Sequence, residues 1–396
     1  MTRRRIIGLT GCLTIGIVVL VLALSGGDKS HAVLEGGART ATTQGQGAAG
    51  SAAAPATTST PATTVSTGAG RLPIARARAA AARLFLVGLG GTEARPELLQ
   101  SFAQHEWGGV VLEPGNGVSP QQVADLVGAI QGTARGAGHP APMIAASQLG
   151  GERDAVPIGS PPQAAAADAA QAQAAALGAA KALAPLGIRM VLAPDADIAL
   201  AGGPWEGLAF SDDPARTAGM VAAAVAGWKA GKVAPVPGHF PGEGAASSDP
   251  SLEAATVGLS LDELKARDLQ PFAAIVKQAP AIQLSAATYV AFDGVTPATL
   301  LPEVVALLRS ELGFGGVIVS GDLAAASLTG GQSVAELAVR AINAGVDLVW
   351  IPGDAAAQDA AWRAVVQALR DGTIPASRVT DALAHVSKLR ADYGVQ

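Results

Sequence analysis

Polar side chains suited to proton transfer or to binding a hydroxylated ligand follow several apolar runs of this sequence. The loop 237–249, which is rich in Gly and Pro, carries two carboxylates and an imidazole. The candidates are Glu113, His239, Glu243, Asp249 and Asp322. Carboxylates and imidazole transfer protons near neutral pH and form hydrogen bonds with hydroxyl groups. The sequence therefore predicts a polar site assembled from loops that the fold must bring together.

Eight short apolar runs alternate with helical stretches, and these elements must position the loops. We predict strands at Leu84–Leu89, Gly109–Leu112, Met143–Ala146, Arg189–Ala193, Val233–Pro235, Ala281–Leu284, Gly316–Ser320 and Val346–Ile351. Several runs are almost entirely apolar, as expected for parallel strands covered on both faces. Eight strands alternating with helices predict an α/β fold, a (β/α)8 TIM-type barrel. An open doubly wound sheet is the alternative, although no G-x-G-x-x-G follows the first strand.

The stretches between the runs carry signals of helix boundaries. Asp213-Pro214 provides a cap and a first-turn proline, and Gly231 ends that helix. The segment 260–263 has the pattern of a capping box. The alanine-rich stretch Ala164–Ala184 is predicted to form an outer helix of the barrel. Chemistry in such a barrel lies on loops that follow strands, which is where the candidate residues fall.

The composition excludes several classes of site. Lys and Arg total 27 and Asp and Glu total 32, a formal net charge of −5, which argues against nucleic acid as a partner. The single cysteine excludes an internal disulfide, and five scattered histidines give no metal-ligand spacing. No metal and no cofactor are predicted.

The N-terminal segment has the pattern of a membrane or export signal. Arg3, Arg4 and Arg5 precede an uncharged apolar run, Ile6–Ser25, long enough to span a bilayer. The positive residues favour an orientation with the rest of the chain across the membrane. A cleaved signal peptide and, less favoured, a lipoprotein signal at Cys12 are the alternatives. Each predicts an extracytoplasmic protein, either anchored in the cell membrane or secreted.

A low-complexity segment separates this signal from the predicted barrel. Residues 36–70 consist of Gly, Ala, Thr, Ser, Pro and Gln apart from Arg39 and Val65. Such a segment cannot bury enough apolar surface to offset the entropy lost on ordering. We predict a signal-anchor or signal peptide at 1–27, a flexible linker at 28–76 and the barrel at 77–396.

The loop after the fifth predicted strand carries a resemblance to a known family. From Pro237 to Asp249 it reads P-G-H-F-P-G-E-G-A-A-S-S-D. It resembles the loop K-H-F-P-G-H-G-D-T-x-x-D-S-H of the bacterial β-N-acetylhexosaminidases of glycoside hydrolase family 3. Further similar segments are Trp107–Leu112, Leu192–Asp197 and Glu311–Ser320. The resemblance covers most of residues 81–386 and implies a barrel of a family that hydrolyses glycosides with retention.

Residues matching the family's catalytic positions are replaced in this chain. The family's nucleophile is an Asp that follows the Ser or Thr ending the seventh strand, and here Gly321 follows Ser320. The family's Asp-x-His acid–base pair reads Asp249-Pro250-Ser251. The pKa of a serine hydroxyl is too high for a general acid near neutral pH. The resemblance therefore implies that no catalytic set is intact.

Groups that hold the sugar in the family are also replaced. The Asp of the family's V-D-Q-E-G-G turn is Ser147, the Arg of R-S-F-G is Leu208, and the Lys before H-F-P-G is Gly238. His239 is retained. The matching positions imply His239, Asp249 and Ser147 as substrate-binding residues. Loss of these groups, while the scaffold glycines and prolines persist, is typical of a pseudoenzyme.

The remaining polar residues have structural interpretations as well as functional ones. His239 either contacts a sugar or bonds to neighbouring backbone, and Asp249 either contacts a sugar or caps its own loop. Asp322 is expected to cap the helix after strand seven. Glu113 and Glu243 are solvated loop charges or, with Asp249 and Asp322, substitutes in a relocated carboxylate pair. Two carboxylates about 5 to 9 Å apart support glycoside hydrolysis.

The sequence therefore predicts a cell-envelope domain of the family 3 β-N-acetylhexosaminidase type that has lost the family's ordinary catalysis. We expect it to bind a cell-wall glycan, such as peptidoglycan, or an envelope protein. The alternative is an active exo-glycosidase that cleaves O-glycosyl bonds of N-acetylglucosamine-containing glycans with relocated carboxylates. No nucleic-acid partner is expected, and a monomer is favoured.

Overall fold

The computed structural model describes residues 73–395. Within this range the strands are β1 Phe85–Gly88, β2 Gly109–Leu112, β3 Met143–Ser147, β4 Met190–Leu192, β5 Ala234–Pro235, β6 Thr256–Val257, β7 Ala281–Gln283, β8 Thr288–Tyr289, β9 Val317–Asp322 and β10 Leu348–Ile351.

The strands alternate with α-helices along the chain. These are α1 Ile74–Ala82, α2 Pro96–Gln104, α3 Pro120–Gly136, α4 Ala169–Leu183, α5 Pro214–Ala230, α6 Leu261–Ala266, α7 Leu269–Ile275, α8 Pro302–Ala306, α9 Ala326–Thr329, α10 Val334–Ala344, α11 Ala355–Asp371 and α12 Ala376–Asp392. A π-helical turn, Leu307–Glu311, continues α8.

Eight of the strands form one parallel sheet in the order β5-β4-β3-β2-β1-β10-β9-β7. The first and last strands of the chain are neighbours, since β1 pairs with both β2 and β10. The two ends of the sheet approach each other just after β5, where Phe240 bridges Leu284. The sheet is therefore a nearly closed (β/α)8 barrel, and the predicted fold is confirmed.

All eight predicted runs coincide with the eight strands of this barrel, with ends that differ by a few residues. The structure adds a small parallel sheet of β6 and β8, which was not predicted from the sequence. Each of these strands has only two residues, so neither contains a run long enough to show a pattern.

Local capping signals correctly predicted the starts of α5 and α6. The Asp213 carboxylate accepts a hydrogen bond from the Arg216 N–H at 2.7 Å and begins α5. Both hydrogen bonds of the capping box at Ser260 are present. The alanine-rich helix starts later than predicted, because Asp168 caps it by accepting from the Gln171 N–H.

Two apolar clusters hold the barrel together. One fills the barrel interior with alternate strand residues, among them Val111, Met190 and Val319. The C-terminal helix α12 closes the end where the strands begin, by packing Val386 and Leu389 against this interior. The other cluster lies between the outer strand faces and the helices. This double coverage explains why the strands read as continuous apolar runs.

The predicted signal segment 1–27 and residues 28–72 of the predicted linker lie outside the described residues. The first described helix, α1, begins at Ile74, within the last three residues of the predicted linker. Among residues 73–395, no helix combines the length and apolar character needed to cross a membrane.

Candidate functional site

A polar cavity of about 270 Å³ opens at the end of the barrel where the strands finish. Loops that follow β2, β3, β5 and β9 contribute its walls. All the sequence-predicted positions line it, namely Glu113, Ser147, His239, Glu243, Asp249, Ser251, Gly321 and Asp322. The barrel therefore brings together residues that are more than 200 positions apart in the chain.

His239 is held by carboxylates on its inner side. Its Nδ1 lies 2.8 Å from Asp197 Oδ2 and 3.5 Å from Glu243 Oε2. The indole of Trp205 stacks against the imidazole, with 4.9 Å between ring centroids. The structural alternative proposed from the sequence was a bond to neighbouring backbone. The observed partners are instead side chains from the loops after β4 and β5.

Glu243 is buried, so its interpretation as a solvated loop charge is wrong. Only 3% of the residue is exposed. Its Oε1 accepts hydrogen bonds from the Ser285 hydroxyl at 2.6 Å and from the Ala286 N–H at 2.9 Å. Its backbone N–H donates to Asp197 Oδ1 at 2.5 Å. These bonds attach the loop after β5 to the loops after β4 and β7.

The electrostatics of this cluster favour a protonated imidazole. Burial alone would lower the pKa of His239, but the carboxylates of Glu243 and Asp197 outweigh burial and raise the pKa to about 10. Burial raises the pKa of Glu243. Side-chain ligand atoms of Asp197, His239 and Glu243 lie within 4.8 Å of one another, close enough to hold a cation. Metal ligation by Nδ1 requires loss of its proton, which the two carboxylates oppose.

The backbone at Gly242 allows the loop to reach this position. Its φ of +123° is unfavourable for other residues, and an added Cβ would lie 2.5 Å from Asp268 Cβ. The Tyr289 hydroxyl donates to the Gly242 carbonyl at 3.0 Å. Gly242, the glycine of H-F-P-G, is thus required because the loop lies close to the start of α7 and to β8. A side chain at this position would displace the loop that carries His239 and Glu243.

Asp249 and Ser251, which the resemblance matches to the family's acid–base pair, bond to each other. Asp249 Oδ1 accepts from the Ser251 N–H at 2.9 Å and from the Ser251 hydroxyl at 2.6 Å. This geometry is that of an Asx turn over residues 249–251, so Asp249 stabilises its own loop as expected. Asp249 also lines the cavity, so its position is compatible with a ligand contact.

Gly321 and Asp322 end β9 at the cavity wall. The Gly321 N–H donates to Thr299 Oγ1 at 2.8 Å. Asp322 was expected to cap the following helix, but Ala325 occupies the N-cap of α9 without a side-chain bond. Asp322 Oδ1 accepts instead from the Ala324 N–H at 2.7 Å. The helix begins one turn later than assumed, because this Asx turn precedes it.

The Asp322 carboxylate lies close enough to Glu113 to influence the ionisation of Glu113. Burial, together with the Asp322 carboxylate, raises the pKa of Glu113 to about 7. Burial raises the pKa of Asp322 to about 6. Both carboxyl groups therefore retain their protons to a higher pH than an ordinary carboxyl group does, Glu113 more so than Asp322. A difference of this kind is found in pairs that divide the roles of acid and base.

Several residues that complete the cavity were not predicted from the sequence. They are Arg153, Asp195, Trp205 and Trp350 as wall residues and Asp197 as the partner of His239. The indole nitrogens of both tryptophans are buried and have no hydrogen-bond partner within residues 73–395. Asp197 falls in the motif L-A-P…D that carried the family resemblance, which was a usable signal. Nothing local distinguishes the two tryptophans from core residues.

The raised pKa of Glu113 predicts a pH-dependent effect of its replacement. A carboxyl group whose folded pKa of about 7 exceeds its ordinary 4.5 contributes stability below pH 4.5 and loses it as the pH rises through 7. We therefore expect Glu113→Gln to gain stability relative to the wild type between pH 4.5 and 8. Denaturant midpoints measured across this range test it, with the exposed Glu97→Gln as control. Equal differences at pH 4 and pH 8 would contradict the expectation.

A parallel (β/α)8 barrel with a polar cavity at the carboxyl ends of its strands defines the class of TIM-type barrel proteins that carry their sites on βα loops. Residues 79–389 match the N-terminal domain of glycosyl hydrolase family 3. A β-hexosaminidase of Stenotrophomonas maltophilia is 32% identical over 284 residues, which is 68% of this chain and 83% of that protein. The chain belongs to glycosyl hydrolase family 3.

Solved structures agree with this assignment. A family 3 β-N-acetylglucosaminidase of a Paenibacillus species superposes with a TM-score of 0.76 at 28% identity, covering 80% of this chain. This chain spans 62% of that protein, and so less than two thirds of it. A β-N-acetylhexosaminidase of Beutenbergia cavernae superposes with a TM-score of 0.72 at 28% identity, covering 81% of this chain and 98% of the other. Similarity to the hexosaminidase type of the family is thus shown.

Proposed function

We propose that this chain is a catalytically degenerate family 3 domain whose cavity binds a glycan of the cell envelope. The observation that carries the proposal is the composition of one cavity. It keeps His239, carboxylates and aromatic side chains, while the family's nucleophile and acid–base positions are Gly321 and Ser251. Such a cavity offers hydrogen-bond partners for hydroxyl groups without the groups that cleave a glycosidic bond.

Aromatic side chains support sugar binding at this site. Trp205 and Trp350 both line the cavity, and their indole N–H groups have no partner within the described residues. An indole presents an apolar face to a sugar ring, whereas the N–H groups of these two tryptophans are themselves buried and are not presented to a ligand. Arg153 adds a cationic donor from the loop after β3. It partly compensates for the arginine and lysine that the family resemblance predicts to be lost.

The extracytoplasmic location and membrane attachment remain part of this proposal, because Ile6–Ser25 is long enough to span a bilayer. A glycan of the cell wall, including peptidoglycan, is the ligand class that such a location makes available. An envelope protein is the alternative partner. We expect the domain to act as a monomer.

Titration with chitooligosaccharides and muropeptides, followed by calorimetry or NMR, tests the proposal. We expect a dissociation constant nearer ~1 mM than ~1 μM, because the ligand is held by a few solvated hydrogen bonds. Arg153→Ala should weaken binding at least about tenfold, the effect of losing one hydrogen bond to a charged group. Arg135→Ala, an exposed arginine on α3 outside the cavity, is the matched control.

No detectable binding at millimolar ligand would contradict the proposal that the cavity binds a glycan. Equal weakening by Arg153→Ala and Arg135→Ala would show that binding depends on overall charge rather than on this site. Either result would favour an envelope protein as the partner of the barrel surface.

A second candidate function rests on Glu113 and Asp322. Their pKa values of about 7 and about 6 suit a general acid and a nucleophile of a retaining glycosidase near neutral pH. In this case the chain would be an active exo-glycosidase with a relocated catalytic pair. Turnover of aryl glycosides that disappears in Glu113→Gln and in Asp322→Asn, with binding retained, would establish this function in place of the first.

A further inference from the structure

A second cavity, of about 670 Å³, lies at the opposite end of the barrel from the glycan site. Segments that precede strands form its walls, with Lys232 before β5, Pro280 before β7 and Gly316 before β9. Helix α12, which closes this end of the barrel, forms the remaining side. The cavity therefore shares no wall with the site described above.

Lysines are concentrated in this cavity. Between residues 73 and 395 the chain has six lysines, and four of them line the cavity: Lys229, Lys232, Lys277 and Lys388. The only carboxylate among the lining residues is Asp392, which lies 2.5 Å from the Lys388 ammonium. His385 is the other titratable base in the wall. In a chain of net charge −5, this cavity is a local region of positive charge.

Two of the ammonium groups are fixed at the cavity wall. Lys229 Nζ donates to the Gln278 carbonyl at 2.7 Å, and Lys277 Nζ donates to the Gly313 carbonyl at 2.8 Å. Both acceptor residues also line the cavity. An ammonium group has three donors, so each lysine keeps N–H groups for a ligand after making its carbonyl bond.

Lys232 provides an independent observation. Its φ of +63° makes it the one non-glycine residue with positive φ between residues 73 and 395. Glycine adopts this conformation without strain, whereas a lysine there costs stability. Its ammonium is exposed and has no hydrogen-bond or ion-pair partner within the described residues. Glycine would fit this backbone conformation better but has no ammonium group. The presence of lysine at this position therefore indicates a role for its charge.

We propose that this cavity binds a ligand that carries phosphate groups. Four ammonium groups around one cavity match the charge and the several acceptor oxygens of a phosphate-rich group. Gly315, in the cavity wall, has open space where a side chain would stand, so that a phosphate oxygen can approach the backbone there. The site is separate from the glycan cavity, and neither proposal depends on the other.

Calorimetric titration of the full chain with tripolyphosphate at low ionic strength tests this proposal, because salt screens exposed charges. We expect binding that Lys232→Gly weakens about fivefold, the upper range for one exposed ion pair. The thermal midpoint of Lys232→Gly should equal or exceed that of the wild type, because glycine removes the strain at φ +63°. Lost binding in a folded variant then reports the missing ammonium.

Lys181→Ala and Lys265→Ala are the matched controls, since each removes one lysine from outside the cavity and should leave the affinity unchanged. Cosedimentation with phosphatidylglycerol vesicles, compared with phosphatidylcholine vesicles, identifies the source of the phosphate. Loss of this cosedimentation in Lys232→Gly would assign a lipid headgroup, and binding of tripolyphosphate alone would assign a soluble ligand. Absence of binding to both probes, or equal weakening by the control variants, would overturn the proposal.

Discussion

Purified protein is expected to hydrolyse an aryl N-acetyl-β-glucosaminide near the background rate, far below the ~1–10³ per second of ordinary enzymes. Gly321 provides no nucleophile and the hydroxyl of Ser251 is bonded to Asp249, so neither step of a retaining mechanism has its catalytic group. Loss of groups that act together costs several powers of ten in rate. Release of the aryl leaving group, followed by absorbance, measures this directly.

Restoring the family residues should raise this rate. A Cβ added at Gly321 would lie 3.3 Å from Ala286 Cβ and 3.3 Å from the Leu284 carbonyl oxygen, so a side chain fits there after a small shift. The double variant Gly321→Asp with Ser251→His is therefore expected to gain at least about tenfold over the wild type. Gly321→Asn with Ser251→His is the matched control, because an amide is a poor nucleophile. An ordinary rate in the wild type would refute the pseudoenzyme proposal.

Replacing His239 by alanine is expected to destabilise the domain by about 3–5 kcal/mol, the effect of breaking a buried ion pair from one side. The substitution leaves the buried Asp197 and Glu243 carboxylates without their cation. Denaturant unfolding at pH 7 measures the loss. His139→Ala, whose imidazole bonds to a backbone carbonyl away from the cavity, is the control and should cost much less.

The pH dependence of this effect has a defined sign. The pKa of His239 is raised to about 10 from its ordinary 6.5. Its contribution to stability is therefore complete below pH 6.5 and is lost as the pH rises through 10. The difference between wild type and His239→Ala should shrink at high pH. Adding Glu243→Gln to His239→Ala should restore part of the lost stability, because it removes one of the two carboxylates left without a cation. If the imidazole ring only filled space, the double variant would be no more stable than His239→Ala.

Much of the fold was predictable because its determinants are local. Each strand is a short apolar run, and the helices begin at capping residues such as Asp213 and Ser260, whose hydrogen bonds span only three residues. The alternation of these elements, together with the loop H-F-P-G, was sufficient to predict the barrel. The positions that line the polar cavity followed from the rule that sites lie after the strands.

The environment of those positions was not predictable in the same way. Glu243 reads as a loop charge, yet the folded chain buries it against Ser285 and Ala286, more than forty residues away. Trp205 and Trp350 are indistinguishable from core residues in the sequence, because exposure to a cavity depends on which loops meet there. For the same reason, the sequence did not predict that four lysines line the second cavity.

The sequence by itself therefore determined the barrel and the starts of α5 and α6, and it has Gly321 and Ser251 where the resemblance implies the family's catalytic residues. The tertiary structure alone decided the contacts and electrostatics of what remains: His239 lies between two carboxylates that raise its pKa, and burial raises the pKa values of Glu113 and Asp322. The reason is physical, because backbone propensity and capping act over a few residues. Burial and electrostatic interactions depend on distances between atoms that only the closed barrel sets.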